Sequence, residues 1–160
     1  MNFAIVQNGE IRQFLQLDMP FTVGEKTYSS AFLRNSSPQE KLEAGVWEII
    51  HGQRPDDRYY WVSNASYHVN EVNSTVEASY PATAKDLEEL KANAVTQIKA
   101  AASSALSATD WMVIRKVERD VAIPDDVAAA RAQIVSDCNT KEAAIVAASD
   151  VEALIAALQG

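Results

Sequence analysis

Cysteine and histidine are nearly absent: the 160 residues hold one cysteine, Cys138, and two histidines, His51 and His68. A single cysteine excludes an internal disulfide and a multi-cysteine zinc site, and its place in a helical pattern reads as a small core residue. The histidines fall in a predicted loop and a predicted strand, in no metal-ligand spacing. Long apolar runs are missing too. None reaches the roughly eighteen residues of a membrane span, and the start, Met1–Gln7, lacks the basic and apolar regions of a signal peptide. Cytosolic synthesis is therefore expected, and the sequons at Asn35, Asn64 and Asn73 read as chance matches. Basic charge is scarce: 14 Lys and Arg stand against 22 Asp and Glu, a net charge of −8. Counterion release from a nucleic-acid backbone needs clustered cations, so nucleic acid is a poor partner for this chain.

Recognisable chemistry is missing as well. No Gly-x-Gly-x-x-Gly and no phosphate loop occurs, which removes the commonest nucleotide sites, and no cofactor is expected. The acidic pairs Asp56–Asp57, Glu88–Glu89 and Asp125–Asp126 are neighbours in sequence. Neighbours point in different directions on a strand or helix and do not make a catalytic dyad. These features point away from an enzyme and towards a protein that binds other proteins.

Composition changes sharply near Pro81. Residues 1–83 hold 6 of the 26 alanines, four of the five prolines and four of the five glycines, and residues 84–160 hold the other 20 alanines. The expectation is an α+β chain: a small antiparallel β-rich domain with one short helix over 1–83, then an alanine-rich helical hairpin or bundle over 84–160.

In the first part, Phe3–Val6 and Ile11–Leu17 flank Asn8-Gly9, a pair suited to the positive φ values of a tight hairpin. Phe21–Val23, Gly24–Lys26 and Thr27–Leu33 repeat the pattern of strand, turn and strand. Ser37, Pro38 and Glu40 make a helix start with a capping box, and Gly45 ends that helix. Val46–Ile50 reads as a strand and His51–Asp57 as a loop. Arg58–Ser63 and Tyr67–Val76 follow as strands, with Tyr59, Trp61, Tyr67, Val69, Val72 and Val76 suited to a half-buried sheet.

In the second part, Leu87, Leu90, Ala94, Ile98, Ala101 and Ala105 form one helical stripe, with Val95 and Ala102 beside it. The segment Asp110–Glu118 carries Trp111, Ile114 and Val117. After Ile123-Pro124, a second long stripe runs through Val127, Arg131, Ile134, Cys138, Glu142 and Ile145. Arg131 and Glu142 read as edge residues with buried stems. A last helix runs from Asp150 through Val151, Leu154, Ile155 and Leu158.

Two surfaces stand out for binding. Tyr59, Tyr60 and Trp61 between Arg54 and Arg58 have the composition of an interface hot spot, although alternation places Tyr59 and Trp61 on one face and Tyr60 on the other, so half the cluster is expected in the core. Small residues along Ala100–Ala105 allow close helix approach, within the chain or in a homo-oligomer. Uncovered edge strands in the β-rich part would be a further template for pairing.

Several stretches, read in order, resemble the tail fibre assembly or tail assembly proteins of tailed bacteriophages. They are Phe21–Gly24 with Tyr28 and Phe32-Leu33, Ser37–Lys41, Gly45–Ile49, Arg54–Val62, Leu87–Lys91, Thr109–Lys116, Ile123-Pro124 with Val127 and Arg131, and Asn139–Ile145. One departure is Ala130, where such proteins often carry an aromatic residue before the arginine. The resemblance implies a non-enzymatic role at the phage tail, binding fibre or baseplate proteins without a membrane. The leading version is an assembly chaperone in the host cytoplasm. The alternative is a subunit that stays in the virion, and a small enzyme acting on host surface polymers is the weakest reading. Candidate contact residues are Arg54, Arg58, Tyr59, Tyr60, Trp61 and Trp111.

Overall fold

A computed structural model describes residues 2–159. The chain is α+β and divides into two compact units, Met1–Thr83 and Ala84–Gly160.

The first unit is built on strands β1 (Phe3–Gln7), β2 (Glu10–Leu15), β3 (Phe21–Val23), β4 (Lys26–Tyr28), β5 (Val46–His51), β6 (Tyr60–Val62), β7 (Ser66–Asn70), β8 (Thr75–Ser79) and β9 (Ala82–Ala84). The main sheet has the order β2-β1-β5-β8-β7, and the pairs β3–β4 and β6–β9 stand apart from it. Asn8 and Gly9 both take positive φ, 54° and 74°, as the β1–β2 turn requires. All pairs of the main sheet are antiparallel except β5–β8, which is parallel. This single departure arises because β6 and β7 intervene between β5 and β8 in the chain.

Both faces of β1 are buried. Ile5 joins Leu15, Phe21, Leu33 and Val46 on one face, covered by Tyr28 and Phe32. Ala4 and Val6 join Ile49, Val76 and Ala78 on the other, flanked by Phe14, Trp47, Tyr67 and Val69. On this second face every named side chain comes from the sheet itself. Phe14 on edge strand β2 and Tyr67 on the opposite edge strand β7 meet with ring centroids 4.5 Å apart. In a flat sheet four strand spacings would hold those edges about 19 Å apart. The sheet is therefore curled around this core, with a register shift between Ile5 and Val6 to help bend it.

Three expectations for this unit need correction. Thr27–Leu33 is not one strand: β4 ends at Tyr28 and Phe32–Asn35 forms a helical turn, α1, so the unit has two short helices rather than one. The turn directs Phe32 onto the Phe21 and Tyr28 rings. Tyr67–Val76 is a hairpin, β7 and β8, because Asn70 accepts from the Asn73 amide at 3.1 Å and Ser74 takes φ of 53°. Val72 lies in that turn, 95% exposed. Arg58–Ser63 shrinks to Tyr60–Val62, since Tyr59 and Tyr60 both donate to the Asp56 carbonyl in a turn. The predicted helix start holds: in α2 (Pro38–Glu43) Ser37 and Glu40 form a reciprocal capping box, and Gly45 follows with φ of 74°.

The second unit comprises α3 (Leu87–Ser107), α4 (Asp110–Arg119), α5 (Asp125–Ala147) and α6 (Val151–Gln159). Ile98 lies opposite Cys138, and Leu106 opposite Arg131, so α3 and α5 form an antiparallel hairpin. Its core gathers Ala94, Ile145, Ala148 and Leu154, with Leu87, Leu90, Ile98 and Leu158 against them. The α5 stripe keeps its predicted positions, all at least half-buried. In α3 the stripe shifts: Ala102 and Leu106 turn inward while Ala101 and Ala105 are exposed, because steps of four from Ile98 follow the 3.6-residue period around the partner helix. Cys138 is half-buried rather than fully interior.

Candidate interaction surfaces

The aromatic and arginine segment of the β unit is tied up internally. Arg54 forks onto Asp57, with Nη1 and Nη2 donating to its two carboxylate oxygens at 2.6 and 3.0 Å. Arg58 binds Asp56 through Nε and Nη2 at 2.9 and 2.6 Å, and its amide donates to the other oxygen of the same carboxylate at 2.9 Å. These hydrogen bonds push both guanidinium pKa values further up, away from any titration near neutrality. The Arg58 guanidinium also lies 5.3 Å from the centre of the Tyr59 ring. A partner carboxylate would have to displace Asp56 or Asp57, so the two arginines fix the shape of the turn more than they offer charge. None of the three aromatics is buried, contrary to the expectation that half the cluster is core: Tyr59 and Tyr60 are half-buried and Trp61 is 68% exposed. Tyr59 precedes the strand, so alternation never applies to it.

In the helical unit, α4 carries an outward apolar face. Trp111, Ile114 and Val117, spaced by three residues, are 52%, 57% and 82% exposed. Met112 is half-buried on the opposite side, and Arg115, also half-buried, flanks Trp111 one turn on. The Arg115 guanidinium sits 4.8 Å from the centre of the Trp111 ring and holds the indole in place. The reason for the exposure lies in α3. Over Ala100–Ala105 it offers only alanine and serine, and Leu106, the one large side chain of its last turn, faces inward, which leaves little bulk against which an indole could pack.

Polar contacts position α4 instead. Arg131 of α5 donates through Nη1 to the Leu106 carbonyl at 2.8 Å and to Thr109 Oγ1 at 2.5 Å, and through Nη2 to Asp110 Oδ1 at 2.8 Å. One guanidinium thus satisfies a carbonyl in the last turn of α3 and the first carboxylate of α4, where the helix termini favour a cation and an anion respectively. Beside it, Lys99, Ala102, Ser103, Leu106, Asp110 and Cys138 line a groove of about 290 Å³, and Lys99 is paired with Glu142 at 2.7 Å. The sequence pattern gives Trp111, Ile114 and Val117 as the apolar residues of this segment but counts only Trp111 among the candidate contact residues, and it reads Arg131 as an edge residue without its three acceptors. The available signal was an apolar three-residue spacing in a helix that follows a run of alanine and serine, Ala100–Ala105.

The remaining singled-out residues serve local structure. His51 ends β5, with Nδ1 2.8 Å from the Tyr80 hydroxyl, and His68 is exposed on β7 opposite Glu77. Glu40 and Glu43 share a small cavity with Lys26. Glu40 caps its own helix through Ser37, which lowers its pKa, and Glu43 accepts from Gln39 at 3.1 Å. Among the described residues no helix is long and apolar enough to cross a membrane, and no group of three or more His, Cys, Asp or Glu is placed to hold a metal ion. No family model, no curated protein and no solved structure matches the chain.

Proposed function

We propose that the chain is a non-catalytic phage tail protein that binds a tail fibre or baseplate protein and assists fibre assembly in the host cytoplasm. The single observation that carries the protein-binding part is the exposed ridge Trp111–Ile114–Val117 on a helix held by polar contacts. Large apolar residues aligned on one helix face are costly to leave in water and mark partner surfaces. The tail assignment is supported by the resemblance in residue order across both units, in particular Thr109–Lys116 followed by Ile123-Pro124 and Arg131.

A masking role fits these features. The ridge can cover apolar surface on an unassembled fibre, while the net charge of −8 keeps the complex soluble. Quantitative mass spectrometry of purified particles beside the infected-cell lysate tests the reading. Abundance in the lysate with absence from particles is expected, together with loss of soluble fibre trimers when the fibre is expressed without this chain. A whole-number ratio to a tail protein inside particles would make it a virion subunit instead.

A further inference from the structure

We infer that the α4 ridge receives a short amphipathic segment of the partner protein whose apolar residues are flanked by Lys or Arg; this rests on the protein-binding reading above. The size of the ridge sets the first limit. From Trp111 to Val117 it runs about 9 Å along the helix axis. Such a ridge, one side chain wide, offers at most a few hundred Å². A stable globular interface needs roughly 800 Å² from each side. A short segment matches that footprint, and a whole protein face does not.

Charge sets the second limit. Asp110 is neutralised by Arg131, and Asp120 by Lys116 at 2.5 Å. Arg115 is laid on the Trp111 ring. Successive residues of a helix are about 100° apart, which sets Glu118 between the directions of Trp111 and Ile114, while Lys116 and Arg119 project from the other side. Among the described residues Glu118 makes no ion pair, so the carboxylate beside the ridge lacks a counter-ion. A cation on the incoming segment supplies one.

The same arithmetic disfavours a second copy of this chain. Paired in parallel, two α4 helices would set Glu118 against Glu118; paired antiparallel about Ile114, Glu118 would meet Asp110, already paired with Arg131, and would gain no counter-ion of its own. Each arrangement also brings together two chains of net charge −8.

The test uses the full chain and two labelled synthetic helical peptides of about 18 residues, long enough to be helical when bound. Both carry leucines at positions i, i+3, i+4 and i+7; one has lysines at every flanking position and the other has glutamates. The lysine peptide should bind at least about tenfold more tightly at low salt, with the ratio shrinking as salt rises. Amide shifts should map to residues 110–121. Val117→Asp should abolish binding, and Glu118→Lys should reverse the preference, each with unchanged far-ultraviolet circular dichroism. Equal binding of the two peptides would overturn the inference, as would a lysine preference that survives both substitutions. Self-association of the wild-type chain that Val117→Asp dissolves would make a second copy the occupant and overturn it too. If these results fail while fibre solubility still requires the chain, only the partner chemistry is lost. If the peptide preference holds while fibre solubility is indifferent to the chain, the tail assembly reading falls and the ridge assignment stands.

Discussion

In the β unit ten apolar residues are buried on the two faces of one curled sheet; in the helical unit, of similar length, five are, among the described residues. Those five are Ala94, Ile145, Ala148, Val151 and Leu154, all in the half of the hairpin that α6 covers. The difference follows from side-chain volume. Alanine stripes let α3 and α5 approach closely but remove little apolar area from water. The end of the hairpin without α6 is therefore joined by Arg131, and the large residues of α4 have no alanine-built wall deep enough to receive them. A unit can be well formed at one end and still present its bulkiest side chains outward at the other.

Six substitutions at five positions would break or sharpen this contrast. Ile145→Ala empties a fully buried position and should destabilise the helical unit by about 3 kcal/mol. Urea unfolding followed by hydrogen exchange should show protection lost over residues 87–159 and kept in the β unit. Arg131→Ala leaves the Leu106 carbonyl, Thr109 and Asp110 without their shared donor and should cost about 2 kcal/mol. Hydrogen exchange should then rise in α4 while residues 87–98 stay protected, and Arg131→Lys should not restore the two-pronged contact.

Ser37→Ala should cost about 1 kcal/mol through loss of the α2 cap. Glu40 has a folded pKa below its unfolded value, so its share of the capping box is present above the unfolded pKa and fades as pH falls through the lowered folded value. An amide titration of residues 37–40 by nuclear magnetic resonance should report that transition, absent in Glu40→Gln. Val117→Ser should change thermal stability least, by under about 0.5 kcal/mol, because the side chain is already in water. A large loss there would mean that the ridge is core after all and would remove the basis for a docking surface.

Much of the fold is legible in the sequence because local chemistry decides it. Asn8-Gly9, the Ser37–Glu40 box, the α5 stripe and the Asp150 cap, whose carboxylate accepts from the Ala153 amide at 2.8 Å, each depend on a few adjacent residues. The features that escape depend on what lies opposite. Nothing local to Tyr67–Val76 announces that Asn70 will fold back on Asn73, since the run is rich in residues that suit a strand. Arg131 resembles any edge arginine until the three acceptors supplied by Leu106, Thr109 and Asp110 are seen to converge on it. Of the candidate surface, Trp111 is readable from its type. Its exposure is not, because that follows from the smallness of a different helix.

The contact between Phe14 and Tyr67 ties together residues 53 positions apart in the chain. During synthesis at about 5–20 residues per second, roughly 3–10 s separate their appearance. β7 joins the sheet only through β8, so the sheet can curl shut over the second apolar face of the β1–β2 hairpin only once Thr75–Ser79 has also emerged. The helical unit also closes over long separations, since α4 lies between α3 and α5 and Ala94 shares a core cluster with Ile145. Slower translation of the stretch between residues 15 and 79 would lengthen the time in which the early strands of the nascent chain can stick to others.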